Sequence, residues 1–121
     1  MNGIEIKLDN QAIQRFEKLV LDVAHTTMED VRSDLVSAAT MPFDTGDMQN
    51  NQTEVFATDS GAVLVTDSPQ ARRLYFHPEY NFQQGKNTNA GADWLEPYIS
   101  GDKKDFVKEH FAEELKRRLN K

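Results

Sequence analysis

From Gln11 to about residue 39, apolar side chains recur three and four positions apart: Ile13, Phe16, Leu19, Val20, Val23, Met28, Val31, Leu35 and Ala38. That spacing lines them along one stripe of an α-helix. At 1.5 Å rise per residue the helix is roughly 43 Å long, in a chain of only 121 residues. A helix of that length in a domain of the commonest size serves as an assembly scaffold more often than as the wall of a catalytic pocket. The stripe weakens at His25-Thr26-Thr27, which predicts a bend there. Pro42 is expected to end the helix, because proline disfavours helical geometry in the residue before it.

The elements on either side follow from shorter patterns. Gly3 to Leu8 alternates apolar and polar, with Ile4, Ile6 and Leu8 on one side, which predicts a short strand with one buried face. Asp9 or Asn10 can cap the helix that follows. Phe43 to Gly46 reads as a turn. Gln52 to Thr58 and Ala62 to Thr66 read as an antiparallel hairpin around Asp59-Ser60-Gly61, with Val55 and Ala57 facing Val63 and Val65. Ser68-Pro69 predicts a helix start, and His77-Pro78 ends that helix after Phe76. Glu79 to Asp93 is a long polar loop, of the kind that tends to be functional or mobile. Trp94 to Ile99 returns to apolar spacing as a helical turn with Pro97 near its beginning. Asp102 to Asn120 is a final helix whose stripe runs Val107, Phe111, Leu115 and Leu119, with Phe106 beside it.

The expected class is therefore α+β, a small antiparallel sheet packed by a long N-terminal helix and a C-terminal helix. One domain, 1–121, holds four parts: strand and long helix (1–40), turn and hairpin (41–68), short helix, polar loop and aromatic segment (69–100), and C-terminal helix (101–121). An apolar fraction of 38% predicts a small core with some apolar surface kept for a partner subunit.

Charge and composition narrow the function classes. Residues 1–101 carry 15 acidic and 7 basic side chains, a balance of -8, and residues 102–121 carry 5 and 7, a balance of +2. An acidic body argues against duplex binding through phosphate contacts, so no sequence-specific nucleic-acid partner is expected. Charge of opposite sign at the C-terminal end suits head-to-tail docking of neighbouring copies, and equally suits a solvated helix face. No run approaches the ~20 apolar residues of a membrane span, and the opening residues lack a secretory pattern. With no cysteines, disulfides and thiolate metal sites are excluded.

No motif supports catalysis. Asp44-Thr45-Gly46 is the signature tripeptide of aspartic proteases, in which two aspartates share a proton and activate water. There it follows an apolar strand, whereas here it follows a long helix and Pro42-Phe43, so a turn is the preferred reading. His25, His77 and His110 lack metal-ligand spacing. No serine has a nucleophile-elbow setting, and no glycine-rich phosphate loop is present. The reading is of a non-enzyme with no cofactor and no metal. Arg72 and Arg73 offer bidentate forks to a partner's carboxylates or to phosphate, against an internal pairing with Asp67 or Glu79. Tyr75, Phe76, Tyr80, Phe82, Trp94 and Tyr98 concentrate around the polar loop. Aromatics and arginine dominate interface hot spots, and Phe82 and Trp94, which flank the loop, are the two expected to touch a neighbour.

Four segments in one order carry a resemblance. They are Pro42-Phe43-Asp44-Thr45-Gly46-Asp47-Met48, then Thr66-Asp67-Ser68-Pro69-Gln70-Ala71-Arg72-Arg73-Leu74-Tyr75, then His77-Pro78-Glu79-Tyr80-Asn81-Phe82, and finally Asn87 to Pro97 with Trp94-Leu95-Glu96-Pro97. Residues 41–100 thereby resemble the small neck or minor capsid proteins of long-tailed bacteriophages and their prophages. The resemblance implies a non-enzymatic virion part, made in the bacterial host cytoplasm, that forms or completes a ring where the head joins the tail. Its partners would be further copies of itself and the adjacent connector and tail proteins. The Asp44-Thr45-Gly46 turn, the Arg72-Arg73 helix and the 79–93 loop would face neighbouring subunits. The family's usual tyrosine after the Ser/Thr-Pro pair is Gln70 here. A tail terminator of the same assembly and a prophage-encoded protein that binds a host target are the alternative readings.

Overall fold

The computed structural model describes residues 3–41, 47–82 and 84–120. The turn expected at Phe43 to Gly46, and with it Asp44, Thr45 and Gly46, lies outside the described residues. The class is α+β, as expected. Along the chain come α1 (Asn10–Ser37), α2 (Asp47–Asn50), β1 (Thr53–Thr58), β2 (Gly61–Thr66), α3 (Ala71–Tyr75), α4 (Glu96–Ile99) and α5 (Phe106–Leu119).

Helix α1 is the spine. The Asp9 carboxylate caps it, accepting from the Ala12 amide at 3.0 Å, which satisfies one of the amides that a helix start leaves free. Its 28 residues run unbroken through the 25–27 segment, where Thr27 Oγ1 donates to the Val23 carbonyl at 2.8 Å. That local bond lets a polar residue occupy the stripe, and the fully buried positions are Val23, Thr27, Val31 and Leu35. The helix stops at Ser37, ahead of Pro42, because Ala39 turns left-handed with φ 56°. Glycine usually takes that position, and an alanine there costs on the order of 1 kcal/mol.

The expected strand at Gly3 to Leu8 does not form. Residues 3–8 pair with no strand, and Ile4, Ile6 and Leu8 are 96%, 81% and 69% exposed. Ile13 and Phe16, in the first turns of α1, are exposed as well.

The hairpin forms with a register that corrects the expected faces. Val55 pairs with Leu64 and Ala57 with Ala62, while Phe56 pairs with Val63 and Glu54 with Val65. Because strand side chains alternate, Val63 and Val65 lie with Phe56 on the outer face, and all three are exposed. The opposite face packs on α1. At its base Thr53 is fully buried, and its hydroxyl bonds the Met48 carbonyl at 2.6 Å and Thr66 Oγ1 at 3.0 Å. Arg32 of α1 locks the same corner, with Nε donating to the Thr53 carbonyl at 2.7 Å and Nη2 to the Asn50 carbonyl at 3.2 Å.

The core gathers Leu35, Met41, Ala71 and Trp94, with Met48, Leu64, Leu74, Tyr75, Leu95 and Tyr98 packed around them. Trp94 is 3% exposed and meets the Tyr75 ring edge-on at 4.8 Å. The expectation that Trp94 touches a neighbouring subunit is therefore corrected: as the largest apolar side chain in the chain, it fills the centre of its own domain. Part of the polar loop turns inward as well. Asn87 is buried, and its Nδ2 donates to the Met41 carbonyl at 2.8 Å and to Gln49 Oε1 at 2.7 Å. Asn89 N and Gly91 N donate to the carbonyls of Ala39 and Thr40, at 3.0 and 3.1 Å. Asn89 Nδ2 reaches the Ala38 carbonyl at 3.1 Å. This part of the loop supplies the donors that the carbonyls following α1 require, instead of presenting them to a partner.

Helix α5 returns antiparallel along α1. Arg118 Nη2 donates to Thr26 Oγ1 at 2.9 Å, and Phe106 stacks on His110 at 3.9 Å. The facing stripe includes Glu114, 8% exposed and held by Arg117 and Arg118, whereas Leu119 is exposed. Ahead of α5, Lys103 Nζ at 2.7 Å and the Tyr98 hydroxyl at 2.6 Å both donate to Asp34 Oδ2. Burial acts to raise the Asp34 pKa, but these two hydrogen bonds and the Lys103 charge outweigh it and hold the carboxyl below its ordinary range. Gly101 has no room for a side chain, since a Cβ there would lie 2.7 Å from Pro97 Cα. In a urea titration, Trp94→Ala should lower stability by about 3–5 kcal/mol, as large-to-small core changes do; an unchanged midpoint would contradict the central placement of the indole.

Candidate functional site

Helix α3 and the turn after it carry the exposed aromatic and arginine side chains. Ser68 opens the segment: its Oγ accepts from the Gln70 amide at 3.3 Å and its carbonyl accepts from the Ala71 amide at 3.2 Å. The helix then places Ala71, Leu74 and Tyr75 inward, at i, i+3 and i+4, where they join the core. The same periodicity turns Arg72 and Phe76 outward, four residues apart, with Arg73 beside them. Arg72 and Arg73 are both exposed, and Phe76 is 63% exposed.

The turn at His77-Pro78 extends this surface. His77 Nδ1 lies 2.6 Å from Glu79 Oε1, and the His77 ring stacks flat on Tyr80 at 4.7 Å and 7°. The hydrogen bond from His77 holds the Glu79 carboxyl below its ordinary range. Glu79 is thereby committed to His77, and the expected internal pairing of Arg72 or Arg73 with Asp67 or Glu79 is not formed. Among the described residues neither arginine makes an ion pair. Tyr80 is 40% exposed, and Phe82 is half-buried.

The anchoring aromatics are thus Phe76 and Tyr80, with Phe82 at the edge, while Trp94 is interior. The periodicity of Ala71, Leu74 and Tyr75 carried the signal for Phe76: a core-facing Tyr75 forces its neighbour outward on a helix. The pattern gave no such signal for Tyr80, which lies beyond the helix and is placed by stacking on His77.

An open cleft of about 310 Å³ lies between α1 and α5, lined by Thr26, Asp30, His110, Glu113, Glu114 and Arg117. Several of its polar groups are engaged within the chain: His110 Nδ1 lies 3.4 Å from Asp30 Oδ2, and Glu114 pairs with Arg117 and Arg118. Among the described residues no group of three His, Asp or Glu side chains is placed to hold a metal ion. No helix in the described residues is long and apolar enough to cross a membrane.

Comparison with known proteins returns no match: no protein-family model, no curated protein and no solved structure matches this chain.

The α3 surface combines the two residue classes that concentrate binding energy at interfaces, arginine and aromatics, on a helix anchored in the core by Ala71, Leu74 and Tyr75. Exposed side chains on this surface contribute little to folding. Replacing Arg72 and Phe76 together by alanine should therefore leave the unfolding free energy, measured by urea titration, within about 1 kcal/mol of the parent. A larger loss would show that these side chains belong to the core and are not a free surface.

Proposed function

We infer that this chain is a structural protein of a long-tailed phage virion, acting at the head–tail junction by assembling with copies of itself and with adjacent connector and tail proteins. The role is non-enzymatic, and the protein would be made in the bacterial cytoplasm and end in the virion. The observation that carries this reading joins sequence and structure. Two of the four segments that resemble the neck and minor capsid proteins, 66–75 and 87–97, pack on each other, with the third, 77–82, following the first directly. The Tyr75–Trp94 ring contact and the bond from the Asp93 amide to the Tyr75 carbonyl at 3.0 Å join the packed pair. This part of the chain turns Arg72, Arg73, Phe76 and Tyr80 to solvent, while its interior residues fasten it to the end of α1.

Energetics favour assembly as the use of such a surface. The long helix exposes apolar side chains over its first turns, Phe56, Val63 and Val65 stand exposed beside Glu54 on the outer hairpin face, and two arginines stand without an internal ion pair among the described residues. Each is a modest contact for a lone partner, and a closed ring repeats them in every copy. The acidic balance of residues 1–101 suits a ring that lets DNA pass without holding it.

Deleting the gene from a phage or inducible prophage that carries it and imaging the lysate by electron microscopy tests this role. DNA-filled heads and completed tails lying unjoined are the expected result. Intact virions in normal numbers would contradict it.

A further inference from the structure

The chain holds a strand without a sheet and a sheet without neighbours. Residues 3–8 have the alternation of a strand, and Ile4, Ile6 and Leu8 stand almost wholly in solvent. Among the described residues the hairpin is a sheet of two strands. In an antiparallel pair every second residue points its N–H and C=O away from the partner strand, so both strands have an outer edge. On β1 that edge is partly closed, because Arg32 Nε takes the Thr53 carbonyl at 2.7 Å. On β2, among the described residues, only the Thr66 side chain is bonded, across the pair to Thr53, and nothing closes the outer edge. Exposed edges of this kind recruit a further strand. Val63 and Val65 of β2 and Phe56 of β1, 43%, 38% and 48% exposed, form an apolar strip on one face beside it, with Glu54 of β1 opposite Val65.

We propose that the 3–8 arm of one copy adds as a third strand to the β2 edge of a second copy, with Ile4, Ile6 and Leu8 beside Val63 and Val65. The occupant is another copy because the arm lies clear of its own hairpin. It projects with the first turns of α1, where Ile13 is 40% and Phe16 50% exposed. Those two side chains follow the arm directly and would cover the acceptor's Phe56. Backbone pairing gives such a contact its strength, and the alternation fixes its register, since a slip of one residue would turn the apolar side to the wrong face.

Size decides what kind of assembly results. A six-residue strand on an edge buries less than the roughly 1,200 Å² at which stable interfaces begin. One donated arm therefore gives weak association. In a closed ring every copy donates one arm and accepts another, a head-to-tail contact that gains stability on closure. Arm exchange of this kind does not depend on the head–tail role; it is a property of the chain in any particle.

The absence of cysteines gives a clean test in the full chain. Ile6→Cys protein mixed with Val63→Cys or Val65→Cys protein should form a mixed disulfide under mild oxidation, and Leu119→Cys, exposed on α5, should serve as the unreactive acceptor. Sedimentation of the parent should show a mass that rises with concentration, and removal of residues 2–9 should abolish that rise. Equal cross-linking to Leu119→Cys, no mixed disulfide with either β2 variant, or unchanged association after removal of the arm would each overturn the proposal. So would a parent that stays monomeric at all concentrations with its arm amides protected from exchange, because the arm would then be folded onto its own hairpin.

Discussion

The placement of the Trp94 ring against Leu35, Met41, Ala71 and Tyr75 is the contact on which the other features depend. Those partners come from the end of α1, the segment just after it, and α3, so one side chain ties together parts of the chain more than fifty residues apart. The backbone around the indole is shaped to seat it. Asp93 adopts a left-handed conformation with φ 54°, which aspartate tolerates better than most residues, and its amide bonds the Tyr75 carbonyl. Polar bonds close the same region from outside: Asn87 and Asn89 supply donors to the carbonyls at 38, 39 and 41 that the end of α1 would otherwise leave unpaired. A polar loop of this length can order itself here because its amides have buried acceptors to meet.

That constraint also accounts for the character of the α3 surface. With Tyr75 committed to Trp94, the short helix has one rotation available to it, and Arg72 and Phe76 must point to solvent. His77 and Glu79 pair with each other and brace Tyr80, leaving the arginines without an internal carboxylate among the described residues. An apolar core at one side of a small domain thus fixes a polar and aromatic surface at the other. The same economy appears at the hairpin, where a buried Thr53 and the Arg32 fork set the register that leaves Phe56, Val63 and Val65 outside.

Much of this was legible in the sequence. The long helix, a cap at Asp9 or Asn10, which the structure gives to Asp9, the turn around Asp59-Ser60-Gly61 and the final helix follow from periodicity and turn chemistry, which are local. What was not legible depended on contacts between distant segments. The alternation at Ile4, Ile6 and Leu8 is a strand pattern, but pairing depends on where the rest of the chain places an edge, and these side chains stand in solvent without one beside them. The hairpin was readable while its register was not, because Arg32 and Thr53, which pin it, are 21 residues apart. Trp94 and Asn87 read as surface because they flank or sit in a polar loop; their buried partners at Tyr75, Met41 and Gln49 lie elsewhere in the sequence. Of the residues expected at an interface, Arg72 and Arg73 are exposed, Phe82 is at the margin, and Trp94 is interior. Phe76 and Tyr80 take its place on the surface.

Among the described residues a small core leaves several apolar and cationic side chains exposed, and on the function proposed above these would make repeated contact with copies of the chain and with neighbouring proteins. Immunogold labelling of purified virions tests that view in the assembled particle. An antibody against this chain should place gold at the junction between head and tail, in one cluster per virion. Virions that carry no label, with all of the protein recovered free in the lysate, would contradict it.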